Sequence, residues 1–414
     1  MATSSPLLLA RLRQRLTPAP VGEDWRTPIL MLMCMVVAME LSHATWFTLL
    51  NNFAVNEVDF TGAEIGILQS VREIPGFLSF AAVLLLVFIR EQRLALVALL
   101  FLGVGTSLTG FLPYEYAFYA TTLIMSLGFH YYETMAQSLA LQWLPKENAA
   151  HGLGKIVAAA SGAAIAAYTI VGLLKWFGFS FRDIYLVAGV LTLAITLWLF
   201  ATFPVFPQKV VQLKTLVVRR RYWLFYALTF MSGARRQIFM VFAGFMMVEK
   251  FGYSVEAIAT LFFVNHAFNM VLAPKIGKLI GRIGERNALV IEYIGLIGVF
   301  TTYAFVTSPW LAAALYVIDH AFFAMAIAIK TYFQKIADPQ DIAPTAGVAF
   351  TINHIAAVVL PVVLGFVWLR DPSSVFLLGA AMAATSLLLS LLIPRAPVAG
   401  HETVWKKASI APAE

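Results

Sequence analysis

Apolar residues fall along this 414-residue chain in long unbroken runs, not in the short alternations of strands. Read between charged and Pro/Gly punctuation, the runs cover 28–50, 64–89, 94–112, 116–144, 153–177, 184–203, 222–248, 255–280, 288–306, 310–336, 346–368 and 374–393. Each reaches about the ~20 apolar residues that carry a helix across ~30 Å of hydrocarbon. The pattern predicts an all-α membrane protein of twelve transmembrane helices. Polar connections are short except at 204–221, where Lys209, Lys214, Arg219, Arg220 and Arg221 separate six runs from six. The expected organisation is a tail over 1–27, a six-helix bundle over 28–203, a central loop over 204–221, a second six-helix bundle over 222–393 and a tail over 394–414.

Composition narrows the class. Hydrophobic residues make up 60% of the chain and charged residues 12%, against roughly 45–50% and 25% in soluble domains, and the mean hydropathy is +0.81. These values exclude a soluble catalytic core, a disordered chain and a nucleic-acid partner. The single cysteine, Cys34, permits no intramolecular disulfide. The net charge of +7 is a sidedness signal: twenty Lys and Arg fall on the side that holds both tails, and four (Lys175, Arg182, Lys250, Arg370) on the other. The richer side is expected to be cytoplasmic, in the inner membrane of a bacterium. The first run is longer than the ~7–15 apolar residues of a cleavable leader, so it reads as a retained span.

The halves match at an offset of 193. Phe60-Thr61-Gly62-Ala63-Glu64-Ile65 aligns with Tyr253-Ser254-Val255-Glu256-Ala257-Ile258, and Arg93-Leu94-Ala95-Leu96-Val97 with Arg286-Asn287-Ala288-Leu289-Val290. Near offset 190, His130 and Met135 align with His320 and Met325. An even number of spans separates the equivalents, so the repeat is parallel, as between the halves of a 6+6 transporter. The loop after the eighth run reads Gly277-Lys278-Leu279-Ile280-Gly281-Arg282-Ile283-Gly284-Glu285-Arg286. It resembles the G-x-L-x-D-R-x-G-R-R signature of the major facilitator superfamily, with Gly281 where the family has Asp. The equivalent first-half loop is only Arg90-Glu91-Gln92-Arg93. The resemblance spans nearly the whole chain and implies a 6+6 pseudo-symmetric bundle. It also implies a central cavity lined by spans 1, 4, 7 and 10, with spans 3, 6, 9 and 12 toward lipid. Gly277, Arg282, Gly284 and Arg286 would then belong to a cytoplasmic latch.

Ten charges are counted as intramembrane: Arg72, Lys155, Arg235, Arg236, Lys330, Glu40, Glu73, Glu133, Glu292 and Asp319. A charge facing lipid at mid-bilayer costs about 2.5–3.5 kcal/mol, so these groups must face one another or water. Lys155 and Glu292 lie near cytoplasmic ends, where snorkelling suffices. Spans 1, 4, 7 and 10 hold most of the others, in agreement with the implied cavity. Helical spacing groups Glu40 with His43 and His130 with Glu133 and Gln137 on single faces. Asp319 and Lys330 are three turns apart. Span 8 presents Asn265, His266 and Asn269, and span 11 presents Asn353 and His354; the two histidines read as core residues.

Guanidinium offers forked donors to a carboxylate or phosphate, which makes Arg235 and Arg236 candidate substrate ligands with Lys330, Asp319, Gln137, Tyr131, Asn265 and Asn269. Glu40, His43, His130, Glu133 and His320 are candidate proton carriers, and Arg72 and Glu73 a candidate gate. Trp46, Tyr131, Tyr132, Tyr316 and Phe323 are candidate apolar walls. The expected activity is secondary transport by alternating access, coupled to protons (or Na⁺), of a small anionic or zwitterionic organic solute by a monomer in the bilayer. No cofactor or resident metal is implied. Two alternatives remain. Glu40-x-x-His43, His130-x-x-Glu133 and Asp319-His320 offer N/O ligands for a transition metal as cargo, and a single buried acid would suffice for drug/H⁺ antiport. The chain has no G-x-S-x-G, H-E-x-x-H or Gly-rich phosphate loop, so nothing points to an enzyme.

Overall fold

The computed structural model of the protein describes residues 25–79, 85–86, 88–144, 149–207, 218–338 and 341–405. Helix occupies most of the described part of every predicted run. The helices are α1 (Pro28–Glu57), α2 (Gly62–Phe77), α3 (Glu91–Thr109), α4 (Glu115–Trp143), α5 (Ala149–Trp176) and α6 (Phe181–Thr202). They continue with α7 (Trp223–Gln237), α8 (Gly244–Glu249), α9 (Val255–Ile283), α10 (Glu285–Phe305), α11 (Pro309–Phe323), α12 (Ile327–Ile336), α13 (Ile342–Trp368) and α14 (Pro372–Ser390). Among the described residues, eight stretches are long and apolar enough to cross a membrane by themselves. α2, α4 and α7 are not among them. α2 and α7 run for only 16 and 15 residues, and together with α4 they carry Arg72, Glu73, His130, Glu133, Arg235 and Arg236.

Two of the predicted spans are interrupted. A π-helical turn, Ile238–Ala243, joins α7 to α8, and a 3₁₀ turn, Ala324–Ala326, joins α11 to α12. Their place in the sequence matters: each begins within five residues of an intramembrane charge, Arg236 and Asp319 respectively.

The chain forms two compact units, one of Met1–Leu49 with Leu78–Leu213 and one of Leu50–Phe77 with Lys214–Glu414. In the first, α3 packs along α4 and α6. Gly105 and Gly128 sit against the backbones of Met125 and Leu102, with no room for a Cβ; small residues of this kind let membrane helices approach closely. The Ser42 hydroxyl donates to Thr192 Oγ1 (2.8 Å), which donates to the Ala38 carbonyl (2.7 Å), tying α1 to α6. In the second unit, α13 lies along α2 and α7, and α10 along α14. Gly62 abuts the Trp368 ring and Gly66 the Pro361 carbonyl. Pro361 disturbs the α13 hydrogen-bond ladder, and the Ser70 hydroxyl accepts the neighbouring Val362 N–H at 3.1 Å. The sequence repeat places residues 50–77 with the first half. Contacts place them with the second unit, because glycine-lined α2 matches α13 so closely.

Candidate functional site

In the first unit, α1 and α4 bring together the expected acids and histidines. His43 lies flat on the Phe129 ring, with centroids 4.2 Å apart and planes 10° apart. Phe129 in turn meets His130 edge-on at 5.0 Å. Glu40 is half-buried and close enough to Glu133 and Tyr132 for their charges to interact. Along α4, His130 is buried, Glu133 half-buried and Gln137 exposed, so one helical face runs from interior to open surface. Tyr131 is half-exposed, whereas Trp46 and Tyr132 are buried. Those two are core packing, not the open apolar walls expected of them; Trp46 meets Phe118 at 6.5 Å.

In the second unit, the two consecutive arginines part company. Neighbouring residues on a helix point about 100° apart. Arg235 is 1% exposed and Arg236 is exposed. The Arg235 guanidinium stands 4.6 Å over the Tyr293 ring and places Nη2 3.6 Å from Glu292 Oε1. Asp319, also buried, is close enough for its charge to act on both. Glu292 is 0% exposed, so it does not snorkel to an interface as its sequence position suggested; α10 turns it inward against α7. The substrate contact expected of Arg235 and Asp319 therefore meets a sealed interior.

Arg236 faces another way. Its Cζ lies 5.7 Å from the Phe323 ring, and His320 is within electrostatic reach of both Arg236 and His266. His320 donates Nδ1–H to the Tyr316 carbonyl at 2.9 Å, which leaves Nε2 as the available ring nitrogen when the imidazole is neutral. Arg236 and His266 are exposed and His320 and Phe323 half-exposed, while Asn265 and Tyr316 are buried. On α9 the open polar position is thus His266, not Asn265. The side chain of Asn269 lies outside the described residues. Lys330 is exposed on α12. Asp319 and His320 diverge, one into the interior and one onto the open face, so they do not form a joint metal-ligand pair.

The expected gate residues Arg72 and Glu73 pair with each other on α2. Within the same unit His354 is buried, places Nε2 3.7 Å from Glu73 Oε2 and donates Nδ1–H to the Phe350 carbonyl at 2.9 Å. In the signature loop, Gly284 has φ +79°, a conformation that favours glycine. Gly277 and Arg282 are exposed, and Gly284 and Arg286 half-buried.

Sequence reasoning missed the polar contacts at the ends of the helices. Buried Glu91 accepts from Gln142 Nε2 at 2.5 Å and from the Ser138 hydroxyl at 3.2 Å. Buried Glu285 meets Lys335 Nζ at 2.6 Å. Asp341 is bonded by Arg219 and by the Tyr222 hydroxyl, the latter at 2.9 Å. The Arg219 hydrogen bonds hold the Asp341 carboxyl below the usual carboxylate range. Each acid lies at or just before the first turn of a helix, the only available hint, since a negative charge is favoured there.

Comparisons with known proteins agree with this architecture. A family profile described as Major Facilitator Superfamily matches residues 29–361. Among solved structures, a point mutant of the nucleoside transporter NupG superposes with a TM-score of 0.74 at 17% identity, covering 88% of this chain and 99% of its own. A bacterial homologue of the human lysosomal transporter Spinster, inward-facing and occupied, gives 0.73 at 13% identity, covering 93% and 98%. An auto-inhibited POT-family peptide transporter gives 0.66 at 11%, covering 88% and 95%. No curated protein matches the sequence.

Proposed function

The chain belongs to the major facilitator superfamily and is a multi-pass membrane transporter, not an enzyme; from that premise we propose that it is a proton-coupled secondary transporter of a small anionic or zwitterionic organic solute. The observation that carries the substrate class is Arg236. A permanently charged guanidinium on an open face of a membrane-spanning helix is not tolerated by acyl chains and matches carboxylate or phosphate groups. Phe323, His320 and His266 supply an apolar plate and imidazoles beside it. In the same unit Lys330 is a further exposed cation; in the first unit, taken by itself, Gln137 and Tyr131 are the open polar positions.

Glu40 and Glu133 carry the coupling. Two carboxylates within reach of one another disfavour simultaneous ionisation, so a proton bound there has a defined place, and His43 and His130 extend it. The transporter works by alternating access in the cytoplasmic membrane, as a monomer with both termini inside; the support for sidedness is the twenty-to-four division of Lys and Arg. The two halves are the six-span sets before and after 204–221.

The test is uptake of a panel of radiolabelled organic anions and zwitterions into proteoliposomes with and without an imposed pH gradient. The expected result is gradient-driven accumulation of at least one solute. Glu133→Gln should lose accumulation while retaining exchange, and Arg236→Ala should lose both. Flux that ignores the pH gradient, with Glu133→Gln equal to wild type, overturns the reading.

A further inference from the structure

The second unit contains an ionisable cluster that the proposed transport path does not use. Arg235 is 1% exposed, Glu292 0% and Asp319 4%. They come from three helices, α7, α10 and α11. Charge is unbalanced as drawn: one guanidinium against two carboxylates leaves a net −1 in a sealed, low-dielectric interior. An isolated buried charge of that kind is neutralised by gaining or losing a proton. The hydrogen bonding is also incomplete. Among the described residues, none of the three Arg235 side-chain nitrogens and neither Glu292 carboxylate oxygen has a hydrogen-bond partner, although the pair stands only 3.6 Å apart.

We infer that Glu292 and Asp319, gathered around Arg235, form a proton-binding site of their own, separate from Glu40 and Glu133. With one proton on either carboxyl the cluster is neutral: the remaining carboxylate balances Arg235, and the new O–H adds a donor beside the Glu292 oxygens, which have none among the described residues. Release breaks that O–H bond and returns the proton to water, leaving the net −1 state.

The surrounding groups do not offset the imbalance. α10 adds Tyr293, whose ring lies under the guanidinium, and Tyr303, within electrostatic reach of Asp319. α11 adds Tyr316 and His320, with His320 turned toward Arg236, and α9 adds His266, which acts on His320. α12, packed on α10 and α7, adds Lys330, which is exposed, Lys335, which pairs with Glu285, and Tyr332, which donates to the Glu402 carbonyl. α14, packed along α10, has no ionisable side chain, and α13, packed along α7, has only His354, which is paired with Glu73. Both helices that bear the cluster's α7 and α11 members also leave α-geometry just beyond it, in the π turn at Ile238–Ala243 and the 3₁₀ turn at Ala324–Ala326. Such turns mark places where a helix can change shape, and they give proton uptake a structure to act on. Any role in transport rests on the proposed proton coupling; the existence of the site does not.

The experiment is infrared spectroscopy of the purified protein in lipid, titrated across the neutral range in H₂O and D₂O. Glu40→Gln/Glu133→Gln serves as background to remove the first unit's acids. A protonated-carboxyl C=O band that shifts in D₂O is expected at neutral pH. Either Glu292→Gln or Asp319→Asn should abolish it, because each leaves one acid for one arginine. Both variants should fold, since both retain a neutral cluster. A band unchanged by either substitution overturns the site, as does failure of both variants to fold. Gradient-driven uptake of the organic-anion panel is measured in parallel. If the band behaves as expected and uptake is absent, the site stands and the proton-coupled transport reading fails.

Discussion

The repeat offset of 193 makes Ser42 the counterpart of Arg235 and His43 the counterpart of Arg236. In both units the first of these positions is buried and the second is more open. Ser42 turns inward to Thr192 on α6 with a 2.8 Å hydrogen bond, and Arg235 turns inward to Glu292 on α10 at 3.6 Å. His43 lies on Phe129, and Arg236 lies over Phe323. The halves thus share which face of the helix is interior and differ in what is written on it. In the first unit the interior contact is neutral and the open face carries acids. In the second the interior contact is ionic and the open face carries a cation. The lesson is that a charge in a membrane span acquires meaning from its azimuth, and that adjacent arginines on one helix belong to different problems.

The largest expected difference lies between the two interior positions. Arg235→Leu strands Glu292 and Asp319 without a counter-ion, and breaking a buried ion pair in this way costs about 3–5 kcal/mol. Ser42→Ala removes one neutral hydrogen bond, worth about 0.5–1.5 kcal/mol. Chemical unfolding of the purified variants reads both; equal losses would break the comparison.

Next come the open positions. Arg236→Ala should leave the unfolding midpoint near wild type and weaken binding of the transported solute by about 10- to 100-fold, the worth of a hydrogen bond to a charged group. A destabilised Arg236→Ala protein with unchanged affinity would reverse the assignment of the two arginines.

The helix-end contacts sharpen the same contrast at smaller scale. Gln142 and Lys335 are also 193 apart, and each meets a buried glutamate at the start of an earlier helix, Glu91 at 2.5 Å and Glu285 at 2.6 Å. Lys335→Met leaves Glu285 without its partner and should cost about 1–3 kcal/mol. Gln142→Leu leaves Glu91 its bond from Ser138 and should cost about 0.5–1.5 kcal/mol. Thermal melts of the two single variants decide the order.

The smallest effect is in acid. Asp341, bonded by Arg219, has a folded-state pKa below the ordinary carboxylate value of 3.8. A depressed acid contributes stability that is fully present above the unfolded value and is lost as pH falls toward the folded one. Below the ordinary carboxylate range, stability should therefore fall less steeply in Asp341→Asn than in wild type. Parallel acid-limb slopes would remove Asp341 from the acid response.

Much of this was legible in the sequence. A run of about twenty apolar residues has few folds open to it, so the helices fall within a few residues of their predicted ends. Two ends differ more: α2 ends at Phe77 against a predicted 89, and α1 continues to Glu57 past the predicted end at 50, where its last turns pack within protein, Asn52 Nδ2 donating to the Tyr253 carbonyl at 2.7 Å. That Glu40 and His43 share one face of α1, and His130, Glu133 and Gln137 one face of α4, follows from periodicity alone. Azimuth was not legible. In a span that is apolar all round, nothing in the sequence says which side of α7 faces the bundle, so Arg235 and Arg236 read as a pair and Glu292 as a surface charge. The π and 3₁₀ turns were hidden for a related reason: they are set by tertiary fit and have no residue signature of their own.

The measurement that tests the separation of interior and open faces most directly uses the chain's near-absence of cysteine. With Cys34 replaced by Ser, single cysteines at positions 42, 43, 236 and 292 are exposed to a small hydrophilic thiol reagent in membranes, and rates are compared with the same sites after denaturation. Cysteines replacing His43 and Arg236 should react, and those replacing Ser42 and Glu292 should react only once the protein is unfolded. Rapid labelling at 292 or 42 in the folded protein, or silence at 236, would contradict the account.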